Sequence, residues 1–191
     1  MSVTKNLSPR AKLVLMLVLF ASPVVASYLT FYFSPPARSG NYGELLPAKP
    51  LPDAILPSIE GGTYDTAALR GTWVLLHADS GVCDAACVEK LYVMRQIRTA
   101  QGKNMERVER VFLVDDDALP AEALRREYSG TRFVRGQGSS VLAALPVATR
   151  LHDHIYLIDP LGNLVLRYPA NPDPPRMIKD LVRLLQVSQV G

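Results

Sequence analysis

The chain has 191 residues, which allows one domain of ordinary size with additional segments. Its net charge is +3, and the three basic residues nearest the N-terminus, Lys5, Arg10 and Lys12, account for that excess. The remaining chain is balanced in charge, which gives no support to nucleic-acid binding. Its 2 cysteines and 3 histidines are a poor match to a closed structural zinc site, which takes four ligands.

An uncharged apolar run follows these basic residues, from residue 13 to residue 33. As a helix it would be about 30 Å long, which matches the hydrocarbon thickness of a bilayer. Residues 1–12 are basic, so we expect them in the cytoplasm and the rest of the chain on the periplasmic or extracytoplasmic side of the inner membrane. A signal peptide cleaved near Ala26 is the competing interpretation.

A proline-rich segment, residues 34–53, comes next, and we predict that it is an extended tether. Residues 54–191 have the length of one domain. Their apolar pattern predicts a hairpin at 59–64, a buried strand at 73–77 followed by a helix at 84–101, and a second buried strand at 110–114 followed by a helix at 120–128. We then predict a short helix at 139–145, a second hairpin formed by 155–158 with 164–168, and a last helix that opens at Asp173.

Two strands joined by a helix lie parallel, with a right-handed crossover. An antiparallel hairpin and a helix close the chain after them. We therefore predict an α/β, thioredoxin-like fold behind a single N-terminal transmembrane helix.

The two cysteines, Cys83 and Cys87, come shortly after the first buried strand, at the start of a helix. A spacing of four residues places both sulfur atoms on one face of a helical turn. They can form a disulfide or share one soft metal ion. A disulfide that closes so short a loop adds little stability. We interpret the pair as a metal-binding or redox site rather than a structural crosslink.

Three motifs resemble the Sco/SenC family, the membrane-anchored thioredoxin-like proteins that help assemble the copper centres of cytochrome c oxidase. Cys83 and Cys87 match that family's Cys-x3-Cys motif. Residues 111–115 resemble its strand that ends in an aspartate, and residues 156–162 resemble its closing hairpin. The resemblance covers residues 53–187 and the anchor, so we identify the chain as a divergent member.

The chain departs from the family pattern at several positions. Asp84 and Val88 stand where the family usually has proline, and Leu119 stands where it has a second aspartate. The family histidine is missing at its expected place, and His152 and His154 lie beside that place.

The resemblance implies one copper ion per domain, bound by two thiolates and one histidine. Thiolate is a soft ligand suited to Cu(I), and imidazole adapts to either oxidation state of copper. We expect Cys83 and Cys87 to bind the ion, with one of His152 and His154 as the third ligand. We interpret His77 as a structural residue or as one that supports a ligand without binding the ion.

Several functions are compatible with these residues. The first expectation is a membrane-anchored metallochaperone that delivers copper to, or prepares the thiols of, a copper site on a cytochrome c oxidase subunit. The alternative is a membrane-anchored thiol–disulfide oxidoreductase without a metal role, in which Cys83 and Cys87 are the redox residues. A thiol peroxidase, with Ser80 in its motif, ranks third, and a scaffold without catalysis is a further option. For Asp115–Asp117 the residues alone favour a solvated strand end.

Overall fold

The computed structural model of the protein describes residues 8–33, 40–147 and 150–188. The chain divides into two compact units after Gly40. In the first unit the described residues contain one helix, α1 (Pro9–Phe33), with Pro23 inside it. This helix is long and apolar enough to cross a membrane. The prediction of an N-terminal apolar helix as a candidate single membrane span is confirmed.

The described residues of the second unit contain eight strands and four α-helices. The strands are β1 (Glu44–Pro50), β2 (Ile55–Pro57), β3 (Thr63–Asp65), β4 (Trp73–Asp79), β5 (Val108–Val114), β6 (Thr131–Arg135), β7 (Ile155–Ile158) and β8 (Asn163–Arg167). The helices are α2 (Ala85–Ala100), α3 (Glu122–Glu127), α4 (Ser140–Ala144) and α5 (Pro174–Val187), and short 3-10 turns form at Thr66–Leu69, Gly102–Arg107 and Leu151–Asp153.

Six strands form one mixed sheet in the order β1-β8-β7-β4-β5-β6, and β2 and β3 form a separate hairpin. The pairs β4–β5 and β5–β6 are parallel. The pairs β4–β7, β7–β8 and β1–β8 are antiparallel. The parallel strands joined by helices and the antiparallel closing hairpin are those of the predicted thioredoxin-like α/β fold, which is confirmed.

Apolar side chains cover both faces of this sheet. On one face, α2 and α5 pack their buried residues against β4, β7 and β8: Met94, Ile97, Met177, Leu181 and Leu185. On the other face, residues near the small hairpin and on α4 do the same, including Leu56, Leu69 and Val141. Because β4 lies between β5 and β7 and is covered on both faces, all of its residues are buried.

The predicted tether differs from the structure over part of its length. Residues 34–39 lie outside the described part of the chain, but Glu44–Pro50 form the edge strand β1, which pairs with β8. The prediction of a spacer is therefore wrong for this stretch. Proline is tolerated in edge strands because the ladder is not extended on their outer side, so the proline content alone does not exclude a strand.

A further strand at the sheet edge, β6, was also missed by the sequence-based prediction. Residues 131–135 form β6, which pairs in parallel with β5 at the other edge of the sheet. Arg132 and Arg135 interrupt the apolar residues of this short segment, which weakens the period-2 signal. The first hairpin was predicted at 59–64, but its strands lie at Ile55–Pro57 and Thr63–Asp65. The remaining predicted elements lie close to their predicted bounds, including the turn at 159–162 that joins β7 to β8.

Candidate functional site

Cys83 and Cys87 form a disulfide beyond the carboxyl end of β4, with their Cα atoms 5.1 Å apart. A turn in which the amide of Cys83 donates to the carbonyl of Ser80 at 3.0 Å precedes it. Cys83 has a left-handed backbone with φ of 46°. Asp84 then caps α2 by accepting a hydrogen bond from the amide of Cys87 at 3.0 Å. The disulfide thus joins the residue before the helix cap to one in the first helical turn.

The two sulfur-bearing residues differ in their access to solvent. Cys83 is 9% exposed, whereas Cys87 is fully buried. Cys87 lies in a cluster with Leu91, Phe112 and Tyr128, between α2 and the sheet. A reagent in solution therefore reaches the disulfide through Cys83.

Three buried side chains meet beneath the disulfide. His77, Asp79 and Cys87 each place one potential ligand atom within 4.8 Å of the others. His77 and Asp79 are two residues apart on β4, so they point to the same face of the sheet. Of the three histidines, all of which the structure describes, only His77 belongs to this group. His77 therefore joins His152 and His154 as a candidate ligand.

Hydrogen bonds fix the orientation of the His77 ring. Its Nδ1 lies 3.0 Å from the carbonyl oxygen of His154, and its Nε2 lies 3.2 Å from Oδ2 of Asp79. A carbonyl oxygen only accepts, so Nδ1 carries a hydrogen. Nε2 is therefore the nitrogen that faces the group.

Asp79 connects this buried group to the surface. Its Oδ1 accepts a hydrogen bond from the amide of Ser80 at 2.8 Å and lies 3.1 Å from Nδ1 of His152. Burial alone would raise the pKa of Asp79, but hydrogen bonds from His77 and Ser80 and the charges of His77 and His152 together hold that pKa below its usual value. Asp79 is ionised at neutral pH as a result.

His152 lies beside the site, on the 3-10 turn Leu151–Asp153, with its side chain 44% exposed. Its Nε2 lies 2.5 Å from Oδ2 of Asp115, so carboxylates contact both ring nitrogens. Burial alone would lower the pKa of His152, but the hydrogen bond to Asp115 and the charges of Asp79, Asp115 and Asp153 raise that pKa above its usual value. This arrangement favours the imidazolium form.

His154 points in another direction. Its Nδ1 lies 2.8 Å from the carbonyl oxygen of Tyr168, and its Nε2 is buried without a hydrogen-bond partner. Because 151–153 form a turn rather than an extended segment, the spacing of two residues does not place His152 and His154 on one side. In the structure His152 contacts Asp79, whereas the backbone carbonyl of His154 contacts the ring of His77.

The acidic loop after β5 is fastened to the cysteine loop. Asp116 accepts hydrogen bonds from the Ser80 hydroxyl at 2.6 Å and from the Gly81 amide at 2.9 Å. These bonds hold the pKa of Asp116 below its usual value, the Ser80 hydroxyl having the largest effect. A Cβ at Gly81 would lie 2.1 Å from the carbonyl oxygen of Ala118, so only glycine allows this close approach. The interpretation of a solvated strand end is wrong for Asp115 and Asp116.

Sequence reasoning missed Asp79 and Asp116 as residues of this site. For Asp79 a signal existed, because His77 and Asp79 alternate at the end of an otherwise apolar strand and a buried polar pair there is unusual. For Asp116 no local signal distinguishes it from its two acidic neighbours.

Comparison with known proteins shows which family the domain matches. A family model described as "Transmembrane-like, thioredoxin-like, C-terminal domain" matches residues 73–188. No curated protein matches the chain by sequence.

Several solved structures share the fold. Copper-bound ScoI of Bradyrhizobium japonicum is 18% identical and aligns with a TM-score of 0.56, covering 71% of this chain and 99% of that chain. Copper-bound yeast Sco1 is 18% identical with a TM-score of 0.59, covering 73% and 96%. BsSco, described with a disulfide switch and as a member of the Sco family of cytochrome c oxidase assembly proteins, is 13% identical with a TM-score of 0.57, covering 78% and 99%. At this identity the likeness shows the fold, and the resemblance to Sco proteins is confirmed at that level.

Proposed function

The chain belongs to the family described as transmembrane-like, thioredoxin-like, C-terminal domain, and on that premise we propose that it is a membrane-anchored copper-binding assembly factor. It delivers copper to, or prepares the thiols of, a copper site on a cytochrome c oxidase subunit. The observation that carries the proposal is the meeting of Cys87, whose sulfur is bonded to Cys83, with the imidazole of His77 in one buried group.

Copper is the cargo of such a protein. Reduction of the disulfide by two electrons gives two thiols, and their thiolate forms are soft ligands that bind Cu(I). Because thiols lose their protons when they bind metal, copper uptake releases protons and weakens in acid. Binding of one ion by Cys83 and Cys87 therefore requires the reduced protein.

His77 is the third ligand that the geometry favours. A histidine that binds a metal usually donates its other ring N–H to a backbone carbonyl or a carboxylate, which fixes its tautomer and orientation. His77 has this arrangement, because Nδ1 is directed to the carbonyl of His154. Nε2 faces the buried group and would exchange its contact with Asp79 for the ion.

His152 and His154 remain proposals for the third ligand. His152 is half exposed and contacts Asp79, a member of the buried group. To bind an ion there it would lose a carboxylate partner and a proton. His154 has a buried Nε2 without a hydrogen-bond partner, which is available to a ligand.

Membrane anchoring rests on α1. Its apolar length and the basic residues ahead of position 13 support an anchor in the inner membrane, with the domain on the periplasmic side. An alkaline phosphatase fused after residue 60 should be active. An inactive fusion, together with an active cytoplasmic-type reporter at the same position, would reverse this topology.

A second function, thiol–disulfide oxidoreductase without a metal role, is favoured by the disulfide itself. Its outer sulfur belongs to the more exposed Cys83 and its inner sulfur to the buried Cys87. BsSco, which has the same fold, is described by its disulfide switch. In this role the protein would reduce or oxidise the cysteines of its partner.

A copper titration separates the two functions. The full chain in detergent is titrated with Cu(I) against a competing chelator, with and without reductant. We expect one copper per reduced chain and none per oxidised chain. Cys83→Ser and Cys87→Ser should each lower the affinity by about 100-fold or more, because each removes a thiolate ligand. A reduced protein that exchanges disulfides but binds no copper would establish the oxidoreductase instead.

Histidine variants identify the third ligand in the same titration. Replacing the true ligand by Ala should lower the copper affinity markedly, and replacing the other two should change it little. We expect the loss in His77→Ala. A loss confined to His152→Ala or to His154→Ala would transfer the ligand role to that residue.

A further inference from the structure

The disulfide is bordered by two exposed apolar side chains. Val82 directly precedes Cys83 and is 78% exposed, and Leu119 is 62% exposed. Leu119 belongs to the acidic loop, which packs on the cysteine loop where Gly81 meets Ala118. Single exposed apolar side chains are common on protein surfaces, but these two lie on the paired loops beside the disulfide, where a partner thiol has to approach.

Carboxylates surround these apolar residues. We define the acidic rim as Asp84, Asp115, Asp116 and Asp117. Asp84 follows Cys83 directly, Asp116 binds the cysteine loop, and Asp115 binds His152. Among the described cations here, His152 is already paired with Asp79 and Asp115. Arg125 donates from Nε to the carbonyl of Pro120, next to Leu119, and Arg135 lies beside Val114 at the end of β5. The four carboxylates of the rim outnumber these three cations. The rim is therefore negative.

The acidic rim contrasts with the charge of the whole chain, whose acids and bases are balanced outside the N-terminal segment. A local negative field attracts positively charged partners, raises their rate of encounter and falls off with salt. It also repels acidic segments, so it selects between partners.

We propose that the acidic rim, with Val82 and Leu119 at its centre, docks a basic segment of a partner protein that carries an apolar side chain beside a cysteine. This inference deepens the proposed function, on which it rests, by giving the chemistry of the partner's thiol segment. Both proposed roles, copper delivery and thiol preparation, bring a partner cysteine to Cys83.

The step at the disulfide is a thiol–disulfide exchange. The partner thiolate attacks Sγ of Cys83, a new sulfur–sulfur bond forms, and the Cys83–Cys87 bond breaks. Cys87 leaves as a thiolate and takes a proton from solvent. A second thiolate of the partner then attacks its own sulfur in the mixed disulfide, which releases Cys83 and leaves the partner oxidised and this protein reduced. The same steps run in reverse, from the reduced protein and a partner disulfide, leave the partner's thiols reduced, as thiol preparation requires.

Two synthetic peptides test the surface. One has a central Leu-Cys flanked by lysines, and the other has the same centre flanked by glutamates. The rate constant for exchange with the oxidised full chain in detergent is measured for each peptide. Each rate is then divided by that of the same peptide with a small neutral disulfide, which removes differences between the peptide thiols.

We expect the normalised rate of the lysine peptide to exceed that of the glutamate peptide by about tenfold at low salt and to approach it at about 1 M salt. The double variant Asp84→Asn with Asp117→Asn should reduce this ratio to about threefold or less. Asparagine at 84 still caps the helix, so the fold is preserved. Glu106→Gln is the matched control, because Glu106 is an exposed acid ahead of β5, at the other end of that strand, and it should leave the ratio unchanged.

Equal normalised rates for the two peptides at low salt would overturn this inference and leave the proposed function standing. Absence of exchange with both peptides would also overturn it. The copper titration decides the proposed function independently.

Discussion

The central strands β4 and β5 are parallel neighbours, yet they end differently. In their register His77 lies beside Phe112, and Asp79 lies beside Val114. All four residues are buried. The end of β5 contributes apolar contacts, whereas the end of β4 holds a polar pair that costs free energy to bury. The cysteine loop begins at the end of β4, so the polar residues that are costly to bury lie next to the reactive cysteines.

Among changes at the ends of β4 and β5, the variant Asp79→Ala should lower the stability most. It leaves Nε2 of His77 buried without its partner and removes an acceptor from Ser80 and from His152. We expect a loss of about 3 kcal/mol in the free energy of unfolding. Denaturant unfolding of the oxidised protein measures it.

Val114→Ala is the matched control on β5. It should also lower stability, because it removes buried methyl groups, but it should leave the copper affinity of the reduced protein unchanged. A loss of less than about 1 kcal/mol in Asp79→Ala would show that the polar pair does not depend on its carboxylate.

The next test replaces the polar residues at the end of β4 by apolar ones, so that it resembles the end of β5. The double variant His77→Leu with Asp79→Leu removes both members of the buried polar pair at once, although the carbonyl of His154 and the amide of Ser80 lose their partners. We expect it to be more stable than Asp79→Ala, because His77 is no longer left buried without its carboxylate. Copper affinity should nevertheless fall by about 10–100-fold through loss of the imidazole. A double variant as unstable as Asp79→Ala would contradict the comparison.

The loop that follows β5 offers a smaller effect. Asp116→Asn weakens the acceptor for the Ser80 hydroxyl and the Gly81 amide, and we expect a loss of about 1–2 kcal/mol at neutral pH. The pKa of Asp116 is lowered in the folded state, so its stabilisation is present above the unfolded pKa near 4 and is lost as the pH falls through the folded value. The difference between parent and variant should therefore shrink in acid.

Asp117→Asn is the control for this loop, because Asp117 is exposed and its contact with Gln137 is 3.5 Å long. It should change the stability little at any pH. An Asp116→Asn difference that persists unchanged well below pH 4 would show that the charge of Asp116 is not what holds the cysteine loop.

The smallest expected effect belongs to His152. Its pKa is raised in the folded state, so its stabilisation is fully present below the unfolded pKa of about 6.5 and is lost as the pH rises through the folded value. The half-exposed ring limits the effect to below about 1 kcal/mol. An NMR titration of the His152 ring should give a midpoint above 6.5. A midpoint below that value would mean that Asp79 and Asp115 do not hold the imidazolium.

Much of the fold could be predicted from local patterns. The apolar spacing of Met177, Leu181 and Leu185 predicted α5, and the turn chemistry of Asp159 and Gly162 predicted the β7–β8 hairpin. The strands β1 and β6 were not predicted, because edge strands have one neighbour and carry prolines or arginines in place of a continuous apolar run.

The site could be predicted only in part, for a related reason. The spacing of Cys83 and Cys87 is local and predicted the pairing of their sulfurs. The contacts of His152 with Asp79 and Asp115 join residues far apart in the chain, and no local pattern reports them. The role of His77 depends on the carbonyl of His154, a contact that only the folded sheet provides.

X-ray absorption at the copper edge tests the central claim most directly. The reduced full chain is loaded with one equivalent of Cu(I), and the atoms bound to copper are counted. We expect two sulfur atoms and one imidazole nitrogen per copper, with the nitrogen lost in His77→Ala and the sulfurs retained. Copper without sulfur neighbours, or copper that the reduced protein does not retain, would contradict it.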